Sequence, residues 1–402
     1  MLETLTIINI VFAIFSESTE FGKGKLLLNK FIYFLNFVLL TLHDGLRWNM
    51  GVDWNSYYDF WNSLDVFDKY IFDENSLFYF HGFYQQDPFY TGFLRFIYDN
   101  ISRNYTVFLL IFSFICYALI LLSLSYLTQY SILSLSFIPG FMAWYSGSQR
   151  QFLANAIFLL ALYCLENKKF KYFFIPLITL ALMSHITVFF PLLFIIILYS
   201  PKYFKKFRLA LIPKFFVSFQ KQIYISVIFI FLLLGFLIYQ NPEVILVFLK
   251  FIPLKSIGWF EFLISNDPFY RSPFLGSMRK IFNLTLFTYL FYSVKIYFKN
   301  KILLNYFKFG QLISLILYLF SLLIPQFSLQ SRLDIYFGTL GIIVLSGKFF
   351  ASNKLSAKYI SLFFVISFFI IEYSRHQCLT LFHPYHFFFE ENIPGATCIF
   401  DG

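Results

Sequence analysis

The chain has 402 residues, of which 59% are hydrophobic and 13% are charged, 62 are Phe, and its formal net charge is +10. Because a soluble protein needs charged residues at about a quarter of its positions, this composition excludes a soluble globular protein, a disordered protein and a disulfide scaffold. It indicates an all-α, polytopic integral membrane protein whose apolar helices face lipid and one another. The basic excess is typical of cytoplasmic loops and does not indicate nucleic-acid binding.

Apolar stretches bounded by charges predict about twelve membrane spans, in a single transmembrane domain that covers residues 1–402. In chain order they lie near 1–15, 31–43, 105–127, 131–148, 151–165, 171–184, 186–200, 222–240, 281–298, 306–324, 333–347 and 357–373. The first stretch lacks a basic n-region and a small-residue cleavage site, so we expect no cleavable signal peptide.

Loop charges orient these spans. Five segments, which together carry 19 basic residues and 3 acids, are predicted to be cytoplasmic: 16–30, 166–171, 201–221, 295–308 and 348–358. Alternation then places two large loops, 43–104 and 241–280, and a tail, 374–402, on the outside.

Of the 9 Arg, 8 fall outside, whereas most Lys fall inside. The planar guanidinium of Arg can bind phosphate or carboxylate bidentately, so the outside Arg residues suggest an anionic ligand. The alternative is that they pair with acidic residues on the outside.

The first outside loop opens with a candidate site. Arg47 and Asp53 flank Gly51, which permits a tight turn, so a guanidinium and a carboxylate can meet at one ligand. Trp54 and Tyr57 are candidates for stacking on sugar rings. The alternative for these aromatic residues is an interfacial belt at the membrane surface.

Further along, Asp87 precedes Pro88. This pair suits the start of a helix, with Asp as N-cap and Pro in the first turn, and capping is the alternative to a chemical role for Asp87.

Three more residues mark the outer ends of predicted spans. Arg150 opens a helical pattern, where backbone N–H groups and the helix dipole favour a phosphate. His185 lies between two apolar runs, and an ionisable residue at membrane depth is a functional candidate, with burial and internal satisfaction as the alternative. Arg332 enters a later span close to Asp334, with which it could simply pair.

The cysteines and the remaining motifs predict no cofactor and no metal. The sequence has no phosphate-binding glycine loop, dinucleotide motif or HExxH zinc motif. Cys378 and Cys398 both lie in the predicted outside tail, where an oxidising environment would allow a disulfide. Cys116 and Cys164 lie within apolar spans and are expected to be inert.

Several segments, in this order along nearly the whole chain, resemble motifs of the EpsG/Wzy group of bacterial polysaccharide polymerases. They are Leu46-Arg47 with Gly51-Val52-Asp53-Trp54 and Tyr57, then Asp87-Pro88-Phe89-Tyr90, then Ser148-Gln149-Arg150-Gln151 through Ala156 to Ser184-His185, then Arg332 with Tyr336-Phe337, and finally Pro384-Tyr385. Asp87 stands where that group often has Glu, and Phe89 where it has Gly.

The resemblance implies a membrane glycosyltransferase, similar in architecture to the GT-C-like polymerases and ligases, that needs no metal. It would polymerise undecaprenyl-diphosphate-linked oligosaccharide units into O-antigen or a related polysaccharide, at the periplasmic face of the bacterial inner membrane. The bilayer and a chain-length regulator protein are expected partners. Arg47, Arg150 and Arg332 would stabilise the leaving diphosphate. Asp53, His185 and Asp87, ranked in that order, are the candidate general bases.

Two other functions share parts of this pattern. A ligase, or an acyl- or phosphotransferase, would act on the same lipid-linked glycan. A transporter or flippase would also handle lipid-linked sugars, but flippases usually contain internal repeats, and the sequence shows no repeat of two halves. The outside clustering of Arg and His favours a site that opens to one side.

Overall fold

The computed structural model of the protein describes residues 22–47, 54–65, 87–127, 148–167 and 169–203. It also describes single positions at Ile8, Val11, Tyr306, Gly310, Tyr336, Tyr359, Ile360 and Phe363. Every regular element within these residues is helical, and none of these residues belongs to a β-strand, which agrees with the predicted all-α class. The chain divides into two compact units, one formed by residues 1–189 with 342–402 and the other by residues 190–341.

The described residues form seven α-helices. They are α1 (Gly22–Gly45), α2 (Trp54–Asn62), α3 (Pro88–Asn100), α4 (Tyr105–Leu127), α5 (Gln149–Glu166), α6 (Phe174–Ser184) and α7 (Phe189–Tyr203). Two short 3-10 helices, Lys171–Phe173 and Ile186–Val188, lead into α6 and α7.

Helix α4 has the same bounds as the predicted span 105–127. Its 23 residues include no charged side chain, and within the described part of the chain it is the one helix long and apolar enough to cross a membrane. Asn104 starts it, because its side-chain Oδ1 accepts the backbone N–H of Thr106 at 2.8 Å. The predicted spans 151–165, 171–184 and 186–200 correspond to shorter apolar helical segments.

Helix α1 is longer than the predicted span 31–43. It begins at Gly22, within the segment predicted to be a cytoplasmic loop, and continues to Gly45. The added residues are mostly Lys and Leu, which favour helix, so the apolar span forms only part of one longer helix. The other predicted spans, the loop 241–280 and the tail 374–402 lie outside the described residues apart from single positions.

The helices of the first unit pack side by side. Helix α4 packs against α1 on one side and α5 on another, α5 packs against α6, and α6 packs against α3. The contact between α1 and α4 is close at Gly45, where an added Cβ would lie 2.8 Å from the Cα of Leu110. A residue without a side chain is therefore needed at this crossing.

Aromatic side chains anchor the short helix α2 to its neighbours. Trp61 is fully buried, and its ring centroid lies 5.0 Å from that of Tyr98 and 4.9 Å from that of Phe108. Its indole N–H donates to the carbonyl of Arg103 at 3.0 Å, which satisfies its one polar atom. The described residues of the predicted outer loop 43–104 thus include helices α2 and α3, and α2 is held against α3 and α4.

Candidate functional site

Arg150 and Asp87 form an ion pair at the point where α5 and α3 begin. The Nη1 of Arg150 donates to Oδ2 of Asp87 at 2.5 Å, and its Nε donates to the hydroxyl of Tyr57 at 3.2 Å. The Tyr57 ring also lies beneath the guanidinium, with 5.9 Å between Cζ and the ring centroid. Residues of two other segments, Tyr57 in α2 and Asp87 at the start of α3, therefore hold this arginine in place.

Asp87 occupies the N-cap position of α3 but does not cap it. Its side chain makes no hydrogen bond to the first turn, although Pro88 follows it as expected. The carboxylate turns instead toward Arg150 and is only 3% exposed. The structure therefore favours a role for this side chain other than capping.

The second oxygen of the Asp87 carboxylate is not used by the bond to Arg150. Among the described residues, Oδ1 is buried and has no hydrogen-bond partner. Burial raises the pKa of the Asp87 carboxyl above its ordinary value, and the charge and hydrogen bond of Arg150 only partly offset that effect. A buried carboxylate oxygen with raised proton affinity suits a general base.

A second hydrogen-bond chain lies beside this pair and is centred on Gln149. Tyr90 donates its hydroxyl to Oε1 of Gln149 at 2.6 Å, and Nε2 of Gln149 donates to the hydroxyl of Tyr105 at 2.8 Å. The Gln149 side chain is fully buried. This chain, which we call the Gln149 network (Tyr90, Gln149, Tyr105), links α3, α5 and α4 through polar groups.

Arg47 joins the site just beyond the end of α1. It is 5% exposed. Of the three arginines predicted to bind diphosphate, Arg47 is therefore buried at the end of α1, and Arg150 is part-buried at the start of α5, where it follows Gln149 in the chain.

The predicted sugar-binding aromatic residues are packed within this region. Trp54 stacks on Tyr58 at 4.7 Å between centroids and meets Tyr105 edge-on at 5.7 Å. Tyr57 is 2% exposed and meets Tyr90 edge-on at 5.9 Å. In this arrangement Tyr57 contacts Arg150, and both rings contribute to the packing of α2; their contact with a sugar stays a prediction.

His185 lies at the junction between α6 and the next 3-10 helix. Its Nδ1 accepts the backbone N–H of Thr187 at 3.2 Å and lies 2.7 Å from the Thr187 hydroxyl. The imidazole therefore caps a helix start, which is a form of the internal satisfaction that the sequence left open as the alternative for His185.

A buried acidic group in α1 was missed by the sequence analysis. Asp44 accepts a hydrogen bond from the Tyr117 hydroxyl of α4 through Oδ2, and its Oδ1 lies 2.9 Å from Nδ1 of His43. The available signal was a carboxylate next to an apolar span, which is costly unless it is paired or functional. Gln149 was also missed as a functional candidate, because the sequence showed it only as part of a motif.

Four predicted residues lie outside the described part of the chain: Asp53, Arg332, Cys378 and Cys398. Within the part that is described, Cys116 and Cys164 are buried and unpaired. No group of three His, Cys, Asp or Glu residues suited to a metal ion occurs among the described residues.

Comparison with known proteins identifies the family. A sequence model of the EpsG family matches residues 30–387, which is most of the chain, so the chain belongs to the EpsG family and the resemblance drawn from its motifs is confirmed. This family is membrane-associated and has a polysaccharide polymerase-like role. No curated protein and no solved structure matches the chain.

Proposed function

We propose that this member of the EpsG family is a glycosyltransferase that polymerises undecaprenyl-diphosphate-linked oligosaccharide units into O-antigen or a related surface polysaccharide. The reaction would take place at the outer face of the bacterial inner membrane and would use no metal. The observation that carries the proposal is the buried pair of Asp87 and Arg150, because it places a proton acceptor beside a fixed cation.

The reaction breaks the bond between the anomeric carbon of the donor chain and the diphosphate oxygen. The hydroxyl of the acceptor sugar attacks this carbon and forms the new glycosidic bond. Its proton passes to Oδ1 of Asp87, and the bonding electrons leave with the lipid diphosphate. Because charge grows on the diphosphate in the transition state, fixed guanidinium groups lower the barrier.

Arg150 can serve both partners of this reaction. A guanidinium has five N–H donors in a planar fork, and the bonds of Nη1 to Asp87 and of Nε to Tyr57 hold this fork at the start of α5. Arg47, which is buried just beyond the end of α1, supplies a second positive charge. Two guanidinium groups match a diphosphate better than one, since each can bind a phosphoryl oxygen pair.

The geometry favours Asp87 over His185 as the general base. His185 uses Nδ1 to accept the Thr187 N–H, so in its neutral form the proton lies on Nε2 and that nitrogen cannot accept another. Asp87 keeps one buried oxygen without a partner in the described part. Asp53, ranked first from the sequence, lies outside the described residues and remains a candidate.

The test is the surface-polysaccharide ladder of a deletion strain that carries wild type, Arg150→Ala or Arg95→Ala. Arg95 is the matched control, because it pairs with Asp99 one turn away on the surface of α3. We expect the deletion and Arg150→Ala to leave single repeats on the final carrier, and wild type and Arg95→Ala to restore long chains. A deletion strain with no repeat on the carrier would instead support a ligase, and an unchanged ladder would support another polymer or a transporter.

A further inference from the structure

Asp44 is a buried carboxylate that the proposed reaction does not use. It lies in the last turn of α1 and is 4% exposed. The Tyr117 hydroxyl, on α4, donates to one of its oxygens, and Nδ1 of His43 lies 2.9 Å from the other. Burial of a charge is costly unless it is paired and hydrogen-bonded, and these two contacts meet that requirement, so they hold the carboxylate in one position.

The hydrogen bond between Asp44 and Tyr117 lies next to the close contact between α1 and α4 at Gly45. Gly45, the following residue, approaches the backbone of Leu110 so closely that an added Cβ would lie 2.6 Å from its Cδ2. A polar bond and a backbone contact thus fix the end of α1 against α4. These two contacts fix the direction in which the chain leaves α1.

Arg47 follows only three residues after Asp44, beyond this fixed point. Arg47 is 5% exposed, so its side chain is enclosed close to the fixed end of α1. A small rotation of the end of α1 would change the position of its guanidinium.

We propose that Asp44 and Tyr117 are positioning residues for Arg47: by fixing the end of α1 three residues before it, they hold its guanidinium where it would contact the diphosphate of the lipid-linked donor. This inference rests on the proposed function, because that function supplies the diphosphate. Neither residue touches the substrate; both act by fixing the end of α1. Such support matters because a misplacement of about 1 Å can cost a site most of its binding or rate.

The test measures the binding of farnesyl diphosphate to the purified full-length protein in lipid nanodiscs. The variants are Tyr117→Phe, Arg47→Ala and the double variant. Tyr117→Phe keeps the buried ring and removes only the hydroxyl that bonds to Asp44. Tyr126→Phe is the matched control on the same helix, since Tyr126 is 51% exposed.

If Tyr117 acts through Arg47, removing the Tyr117 hydroxyl does not change the affinity for farnesyl diphosphate once Arg47 is absent. We expect Tyr117→Phe to weaken binding about five- to tenfold in the wild-type background and to have no further effect in Arg47→Ala, as coupled residues do. Asp44→Asn keeps an oxygen that can accept from Tyr117, so it should bind better than Asp44→Ala. Tyr126→Phe should bind like wild type.

The possible failures are distinguishable. If Tyr117→Phe lowers affinity by the same factor with and without Arg47, or has no effect at all, the positioning inference is overturned while the proposed function stands. If wild-type protein does not bind farnesyl diphosphate, the diphosphate chemistry of the proposed function fails, and the inference fails with it.

Discussion

Nη1 of Arg150 lies 2.5 Å from Oδ2 of Asp87, although the two residues are 63 positions apart in the chain. The carboxylate is almost fully buried, and the guanidinium is 22% exposed. The pair therefore has a buried anionic end and a partly exposed cationic end. In such an arrangement the carboxylate can accept a proton while the guanidinium binds an anion.

Asp87→Asn should abolish polymer while the protein remains folded in the membrane. Asn has nearly the same shape and suits an N-cap position, but it cannot accept a proton from a sugar hydroxyl. Loss of a general base costs about 100-fold or more in rate, which the polysaccharide ladder would show as single repeats. Asp99→Asn, on the exposed face of the same helix, is the control, and normal chains from Asp87→Asn would remove Asp87 from the reaction.

Arg150→Lys should recover little of the function lost in Arg150→Ala. Lys keeps the charge but lacks the planar fork that reaches both Asp87 and Tyr57. Complementation of the deletion strain gives the measurement, with membrane levels of each variant compared by immunoblot. Long chains from the Lys variant would show that charge alone suffices at this position.

The protonation of Asp87 should respond to Arg150 in a defined direction. Burial raises the pKa of Asp87, and the positive charge of Arg150 lowers it, so Arg150→Gln should raise that pKa further. Infrared difference spectra between each protein and its Asp87→Asn derivative report the protonated carboxyl as a function of pH. An unchanged or lower midpoint in Arg150→Gln would contradict the ion pair.

Gly45→Ala should destabilise the protein, and Gly92→Ala should not. The new Cβ at position 45 would lie 2.6 Å from Leu110 Cδ2 and 2.8 Å from its Cα, whereas position 92 in α3 has nothing within 4 Å. We expect a loss of about 1–3 kcal/mol from overpacking at Gly45 and a gain of about 0.5–1 kcal/mol from helix propensity at Gly92. Thermal unfolding in detergent tests both; equal stabilities would contradict the close crossing of α1 and α4.

Cys378 and Cys398 should resist thiol labelling from outside the membrane until a reductant is added. Both are predicted to lie in the outside tail, where a disulfide can form. Non-reducing gels of labelled wild type, with Cys378→Ser as the control, give the measurement. Immediate labelling of both thiols would reject the disulfide.

The sequence by itself determined the class of the protein and several helices. An apolar, nearly uncharged run from Tyr105 to Leu127 can satisfy its backbone groups in a membrane only as a helix, and α4 has those bounds. Pro88 and Arg150 were placed at helix starts for local reasons, and the helices begin there. Helix α1 was predicted too short, because its basic first turns read as a loop by charge although their residues favour helix.

Only the tertiary structure decided which of these local features meet. The pairing of Asp87 with Arg150, the capping role of His185 and the bond between Tyr117 and Asp44 are contacts of side chains whose partners depend on packing. Hydrophobic periodicity and length specify a helix and its apolar surface, but they do not specify which faces of two helices touch. Tyr57 shows the difference: the sequence left open whether its ring stacks on a sugar or belongs to an interfacial belt, and only the packing of α2 reveals its contact with the guanidinium of Arg150.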